Sequence, residues 1–242
     1  MTEPAAAPAG SLALQLAGEG LWLLPQRAVC WPACRTLVVA DLHFGKDDVF
    51  RRAGLALPEG AAGEDLARLD ALLVATRSER LLVLGDFLHG DLQPGDAFPA
   101  RFAAWRAAHR ELAITVIAGN HDRHARRDGA APPGLDVAWR AEPLLEGPFA
   151  FVHDPDAPDE AAAGARFRLG GHLHPVTLLP ARGGARLRVP VYWQRAQGLV
   201  LPSFGRLTGG HPVRPAPGDR LLVAGPERVI RLRAAEAARE AQ

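Results

Sequence analysis

Short apolar runs that stop at a carboxylate or an imidazole constrain this fold more than any other feature. The first is Val38–Ala40, which runs directly into Asp41-Leu42-His43. An aliphatic run of this kind is typical of a buried strand, and Asp41 and His43 would project to the same side where that strand leaves the sheet. Because a buried charge needs a partner, the pair predicts the beginning of a metal site.

The same arrangement recurs later in the chain. The polar residues that follow the later apolar runs are Asp86 and His89; Asn120, His121 and Asp122; His153; and His172 and His174. Taken singly, a histidine after a strand is more often an ordinary hydrogen-bonded residue, and a Gly-Asn pair is more often a tight turn. Ligands of α/β proteins sit outside the carboxyl ends of the strands. Five segments that deliver such residues to one edge therefore indicate one shared site.

Strand and helix patterns alternate in the first half of the chain. Gly63–Thr76 carries leucines at helical spacing, and Ala97–Arg110 carries an aromatic stripe, between strands predicted at Thr36–Ala40, Leu81–Leu84 and Ile114–Ala118. This order implies parallel pairing with right-handed crossovers.

After about residue 134 short strands separated by Gly/Pro turns predominate, which favours a second, more antiparallel sheet. The strands predicted there are Leu135–Arg140, Phe149–Val152, Phe167–Leu169, Arg186–Trp193, Leu199–Leu201, Leu221–Val223 and Val229–Leu232. The predicted fold is α/β, a four-layer sandwich of two mixed β-sheets packed face to face with helices on the outside.

One domain is predicted over residues 12–233, because no linker-like composition separates the halves. Residues 1–11 are rich in Ala and Pro and are expected to form a disordered tail, and residues 234–242 a C-terminal tail. No apolar run approaches the roughly 18–20 residues of a membrane span, and the N-terminus lacks the basic region of a secretory signal. Two cysteines are too few for a disulfide framework. A cytoplasmic location is expected.

The net charge of the chain does not indicate which class of partner it binds. The formal net charge is +1 at pH 7, and Lys46 is the only lysine among 28 basic residues. Because arginine replaces lysine throughout, its abundance is not a sign of nucleic-acid binding, and the near-neutral balance gives no broad basic footprint.

The polar set is too large for one tetrahedral zinc ion, which takes four ligands. Seven residues of this set are candidate metal ligands, a number that suits two divalent ions roughly 3.5–4 Å apart. Asp86 can bridge the two ions by giving one carboxylate oxygen to each. Imidazole, carboxylate and amide ligands together favour Mn²⁺, Fe or Zn²⁺ over Mg²⁺.

These motifs occur in the order of a known family. They are Asp41-x-His43, Gly85-Asp86-x-x-His89, Gly119-Asn120-His121-Asp122, His153 and Gly171-His172-x-His174. Together they resemble the calcineurin-like metallophosphoesterases, over residues 38–174. The resemblance implies a two-sheet sandwich flanked by helices, a dinuclear metal centre and hydrolysis of phosphoesters.

The resemblance also implies a role for each residue. One metal ion would be held by Asp41, His43, Asp86 and His174, and the second by Asp86, Asn120, His153 and His172. His121 would protonate the leaving oxygen, with Asp122 orienting its imidazole. The implied reaction is in-line attack on phosphorus by a hydroxide that bridges the two metals.

Three segments, Ala40–Lys46, Gly85–Gly90 and Leu201–Gly210, narrow the resemblance to a bacterial group. This is the ligase-associated DNA-damage-response endonuclease/phosphodiesterase group, which implies Mn²⁺, a single-stranded or flexible DNA substrate and association with a repair ligase and helicase. Protein Ser/Thr phosphatases are disfavoured, since no arginine follows Asp86 closely and Asp122 stands where they carry glutamate. The alternatives are hydrolysis of small diesters, such as cyclic nucleotides or nucleotide-linked lipid precursors, and a scaffold without catalysis.

Three further residues are candidates for contact with substrate. Lys46 lies close to the metal motif and can contact a phosphate as a point charge, although a structural role is equally open. His89 is expected to support the metal ligands rather than to touch substrate. Arg123, with Arg126 and Arg127, could line a path for a phosphate backbone or form a solvated face.

Overall fold

The computed structural model describes residues 6–55, 60–125, 134–158 and 166–232. Within these ranges the chain forms two β-sheets. The first contains β1 (Leu12–Leu16), β2 (Glu19–Leu24), β3 (Ala28–Trp31), β4 (Thr36–Val39), β5 (Arg80–Leu84), β6 (Ala113–Ile117) and β7 (Ala138–Arg140). The helices are α1 (Lys46–Arg52), α2 (Ala61–Thr76), α3 (Phe98–Ala108) and α4 (Asp122–Ala125). The second sheet contains β8 (Leu144–Glu146), β9 (Phe149–Phe151), β10 (Phe167–Gly170), β11 (Pro175–Pro180), β12 (Arg186–Arg195), β13 (Gly198–Val200), β14 (His211–Pro212), β15 (Arg220–Ala224) and β16 (Val229–Arg231).

The first sheet runs in chain order, and its two halves differ in direction. Strands β1 to β4 are antiparallel neighbours, whereas β4, β5, β6 and β7 pair in parallel. Helices α1 and α2 connect β4 to β5, and α3 connects β5 to β6. The predicted parallel half is therefore present, and its strands end at one edge of the sheet.

Alternation along the strands divides the apolar side chains between two faces. Leu37 and Val39 of β4 pack in the cluster that contains the apolar faces of α2 and α3. Val38 and Ala40 pack in a second cluster, which contains Phe149 and other residues of the second sheet. Successive side chains of a strand point to opposite faces, so this one strand contributes side chains to both apolar clusters. The predicted face-to-face packing of two mixed sheets is confirmed.

The second sheet is joined to the first by a buried tyrosine. Tyr192 of β12 is fully buried, and its hydroxyl lies 2.7 Å from the Leu24 oxygen and 2.8 Å from the Ala28 oxygen, both in the β2–β3 hairpin. The outer face of the second sheet carries a small cluster of Val191, Leu221 and Val223, packed against strand and loop residues. Strands β2 and β3 lie where Leu21–Leu24 and Ala28–Val29 predict a first strand or hairpin, whereas β1, β8, β11 and β14 fall outside the segments predicted as strands.

The ends of the chain lie partly outside the described residues. Residues 1–5 and 233–242 are not described, and neither are 56–59, 126–133 and 159–165, which contain Arg126 and Arg127. Within the predicted N-terminal tail, Gly10 accepts a backbone hydrogen bond of 2.9 Å from Val229, which ties this segment to β16. The helices that the structure describes are all too short or too polar to cross a bilayer.

Candidate metal centre

The candidate site lies where β4, β5 and β6 end, with loops of the second sheet facing it. Nine non-glycine residues of the described chain have a positive φ, and five of them belong to this site. These five are Asp41, His43, Asp86, His172 and His174. A left-handed backbone costs a non-glycine residue roughly 1–2 kcal/mol, and such strain concentrates at functional sites. Hydrogen bonds between the loops hold the backbone in this conformation. One example is the 2.8 Å hydrogen bond from the His43 N–H to the Asp86 carbonyl oxygen.

The first group of ligand atoms comes from Asp41, His43, Asp86 and His174, and all lie within 4.8 Å of one another. His43 Nε2 is 3.5 Å from His174 Nε2 and 3.6 Å from Asp86 Oδ2. Burial, with His174 and His121 nearby, lowers the pKa of His43 to about 2. Its imidazole is therefore neutral, as a metal ligand must be.

The second group comes from Asp86, His153 and His172, with Asn120 beside it. His153 Nε2 lies 2.9 Å from Asn120 Oδ1, 3.0 Å from His172 Nδ1 and 3.6 Å from Asp86 Oδ1. The other nitrogen, His153 Nδ1, is 3.2 Å from the Leu84 carbonyl oxygen. A proton on Nδ1 satisfies that carbonyl and leaves the Nε2 lone pair for a metal ion.

Asp86 is the one residue common to both groups. Its Oδ2 faces His43 in the first group, and its Oδ1 faces His153 in the second. Buried carboxylates and imidazole nitrogens that converge in this way fit two divalent cations with a bridging carboxylate. The structure thus brings all seven predicted ligands together in the two predicted sets, and their role as ligands stays a prediction.

Comparison with known proteins agrees with this geometry. The calcineurin-like phosphoesterase family matches residues 34–175, more than half of the chain. The chain belongs to this family. It is a metal-dependent phosphoesterase, and the metallophosphoesterase fold expected from its motifs is confirmed.

Two solved structures are similar to this metallophosphoesterase. The Pseudomonas putida nuclease MPE is 40% identical, over 92% of this chain and 100% of that chain, with a TM-score of 0.77. YfcE, a phosphoesterase from E. coli, is 14% identical over 81% of this chain and 97% of that chain, with a TM-score of 0.41. No curated protein matches the chain significantly.

A late segment of this metallophosphoesterase fixes the first ligand loop. The Ser203 hydroxyl lies 3.1 Å from the Asp41 carbonyl oxygen, and the Gly205 N–H donates to the same oxygen over 3.2 Å. The Asp41 carboxylate in turn accepts the His172 N–H at 3.0–3.1 Å. Sequence reasoning selected Leu201–Gly210 only by resemblance, because contacts across about 160 residues leave no local signal.

The prediction that Asp122 orients the His121 imidazole is wrong. Asp122 is fully buried, and its carboxylate accepts the backbone N–H groups of Phe87, Leu88 and Gly119 at 3.2, 2.8 and 2.9 Å. It therefore fixes the loop after β5 to the loop after β6. The His121 imidazole is oriented by another group, since its Nδ1 lies 3.0 Å from the His89 carbonyl oxygen.

His89 contacts both the predicted ligand His43 and the predicted acid His121. Its Nδ1 is 3.3 Å from His43 Nδ1, and its ring stacks on His121 with centroids 4.9 Å apart. Burial, followed by the charge of Lys46, lowers the pKa of His89 to about 4. These contacts fit the expected supporting role. Lys46 is half-buried with its ammonium 5.5 Å from the centre of the Phe50 ring.

The other predicted residues are placed as follows. Arg123 is exposed at α4, and Arg126 and Arg127 lie outside the described residues. Cys30 is buried, and burial raises the pKa of its thiol to about 11, which disfavours a reactive thiolate.

Gly171→Ala is expected to lower both the melting temperature and the metal affinity. A Cβ at Gly171 would meet the Ala40 Cβ at 2.6 Å and Asp41 Oδ2 at 2.7 Å, so a ligand carboxylate must shift. Overpacking of this kind costs about 1–3 kcal/mol. Thermal unfolding with and without Mn²⁺ measures both effects. The matched control is Gly90→Ala, because a Cβ there has nothing within 4 Å. Wild-type behaviour of Gly171→Ala would contradict the packing described.

Proposed function

We propose that this metallophosphoesterase hydrolyses phosphodiester bonds in DNA, with single-stranded or flexible DNA as substrate. The observation that carries the proposal is the pair of ligand groups that share only Asp86, with His121 beside them. Two adjacent divalent ions can hold both the attacking and the leaving oxygen of a displacement at phosphorus. Identity of 40% to a protein described as a nuclease supports a nucleic acid as the substrate.

The chain's own residues would position the reacting groups. When bound, two divalent ions would neutralise phosphate charge and lower the pKa of an attacking water. The His121 backbone N–H donates to Asp86 Oδ1 over 3.0 Å, which fixes the carboxylate common to both groups. Because the His121 Nδ1–H faces the His89 carbonyl, Nε2 is the atom that would pass a proton to the leaving oxygen.

The biological setting is part of the same proposal. The resemblance of Ala40–Lys46 and Leu201–Gly210 to the bacterial DNA-damage-response group supports Mn²⁺ as the metal, a role in DNA repair and association with a repair ligase and helicase. A cytoplasmic location follows from that role.

A substrate panel run with and without chelator tests the proposed function. With Mn²⁺, the protein is expected to bind about two ions per chain and to cleave both a single-stranded DNA oligonucleotide and a chromogenic small diester. Excess chelator should abolish both activities, and added Mn²⁺ should restore them. Turnover of the small diester alone would replace DNA with small diesters as the substrate class. Metal binding without either activity would indicate a non-catalytic scaffold.

A further inference from the structure

A cavity lies beside the metal centre, on the side of His174. It has a volume of about 170 Å³ and lies between β11, β12 and the segment 202–210. Two arginines, Arg27 and Arg188, line it, and no carboxylate does so in the part of the chain that the structure describes. The segment 202–210 comes from the motif that narrowed the sequence resemblance, and its hydrogen bonds to Asp41 come from Ser203 and Gly205.

Arg27 offers a half-buried positive charge whose hydrogen-bonding capacity is largely unused. Its Nη1 donates to the Ser203 carbonyl oxygen over 3.1 Å, which accounts for one of its five N–H donors among the described residues. Burial lowers the pKa of its guanidinium, and the charge of Asp65 offsets this only in part. A guanidinium in such a place favours an anionic partner, and its planar fork matches a phosphate.

Arg188 places a second guanidinium at the cavity. It is exposed on β12, and its Nη1 donates to the Gly210 carbonyl oxygen over 3.2 Å. At the neighbouring Gly209 a Cβ would have nothing within 4 Å, so the backbone at this rim is open to a ligand. Pro175, Val176, Pro190 and Pro202 form an apolar part of the wall, and Ser203 and Thr208 also line the cavity.

We infer that this cavity binds the nucleotide next to the scissile phosphate. The flanking phosphate contacts Arg27 and Arg188, and the sugar or base packs against the proline wall. At about 170 Å³ the cavity is smaller than the roughly 300–1,000 Å³ of a pocket for a whole small molecule. It therefore takes one part of a larger ligand. His174 belongs both to the cavity wall and to the first ligand group, so that part adjoins the reacting phosphate. This inference rests on the proposed function.

The test compares two substrates in the intact Mn²⁺-loaded protein. One is a single-stranded DNA oligonucleotide, and the other is a nitrophenyl methyl phosphodiester, whose methyl group cannot fill the cavity. Arg188→Gln is expected to lower the ratio of their kcat/KM values, oligonucleotide over small diester, by about tenfold, the scale of one hydrogen bond to a charged group. The loss of one phosphate contact should also reduce the slope of log KM against log salt by about 0.7.

Arg27→Gln should lower the same ratio of kcat/KM values further. If the Arg27→Gln protein does not fold, the Arg188→Gln variant still tests the subsite, because Arg188 is exposed and its replacement should not affect folding. The control is Arg110→Gln, which removes an equal charge at the opposite edge of the first sheet, before β6, and should leave the ratio unchanged. An unchanged ratio in Arg188→Gln, with DNA still cleaved, would overturn the subsite alone. If wild-type protein cleaved only the small diester, the proposed function would fail and the subsite with it.

Discussion

Asp86→Asn should lower kcat/KM for any diester by on the order of 10³-fold or more, because two metal ions together supply several kcal/mol of transition-state stabilisation. The amide keeps one oxygen and replaces the other with an NH₂ group, which cannot ligate a cation. Oδ2 faces the first ligand group and Oδ1 the second, so either orientation of the amide deprives one group of a ligand.

Elemental analysis of the purified variant checks the cause of that loss. About one of two ions should be missing after dialysis, and excess Mn²⁺ should restore activity only in part. Asp47→Asn is the matched control, since Asp47 is also buried and close in the chain to His43 but belongs to neither ligand group. Full metal content in Asp86→Asn together with full activity would remove Asp86 from the bridging position.

The convergence of the candidate metal centre was largely predictable from sequence because its predicted ligands follow strand ends. Val38–Ala40 and Leu81–Leu84 are apolar enough to indicate buried strands, and a charged residue one or two positions after each has little choice of position. Because the two strands are parallel, Asp41 and Asp86 come to the same edge of the sheet, and this can be predicted without the conformation of the loops. The short strands at the margins, such as β8 with three residues, carry too few side chains to show a period.

The contacts that fix the ligands were not predictable in this way. Asp122 directly follows the predicted catalytic histidine, which suggested a contact between their side chains, yet its carboxylate accepts hydrogen bonds from backbone N–H groups of the loop after β5. Backbone donors have no signature in a sequence, because every residue except proline has one. The His89 carbonyl that orients His121 and the Asp41 carbonyl that accepts from the Ser203 hydroxyl are equally concealed, because every residue has a backbone carbonyl.

His121→Ala should retain both metal ions yet lower kcat for DNA cleavage by on the order of 10²–10⁴-fold, the usual contribution of a positioned acid. Its side chain belongs to neither of the two groups that share Asp86, so metal content should not change. The His121 imidazole lies 4.9 Å, centre to centre, from that of the predicted ligand His43, and its ligand atoms group with those of His43 and His89 instead.

The leaving group distinguishes proton donation from a purely structural effect. An alkoxide that leaves from DNA needs a proton, whereas nitrophenolate leaves without one, so His121→Ala should impair a nitrophenyl diester far less than an oligonucleotide. Steady-state kcat on both substrates, with metal content measured on the same samples, gives the comparison. His109→Ala is the control, because His109 packs on Trp105 at the end of α3, outside the metal groups. Equal losses on both substrates would assign His121 a positioning role, and an unimpaired variant would exclude it as the acid.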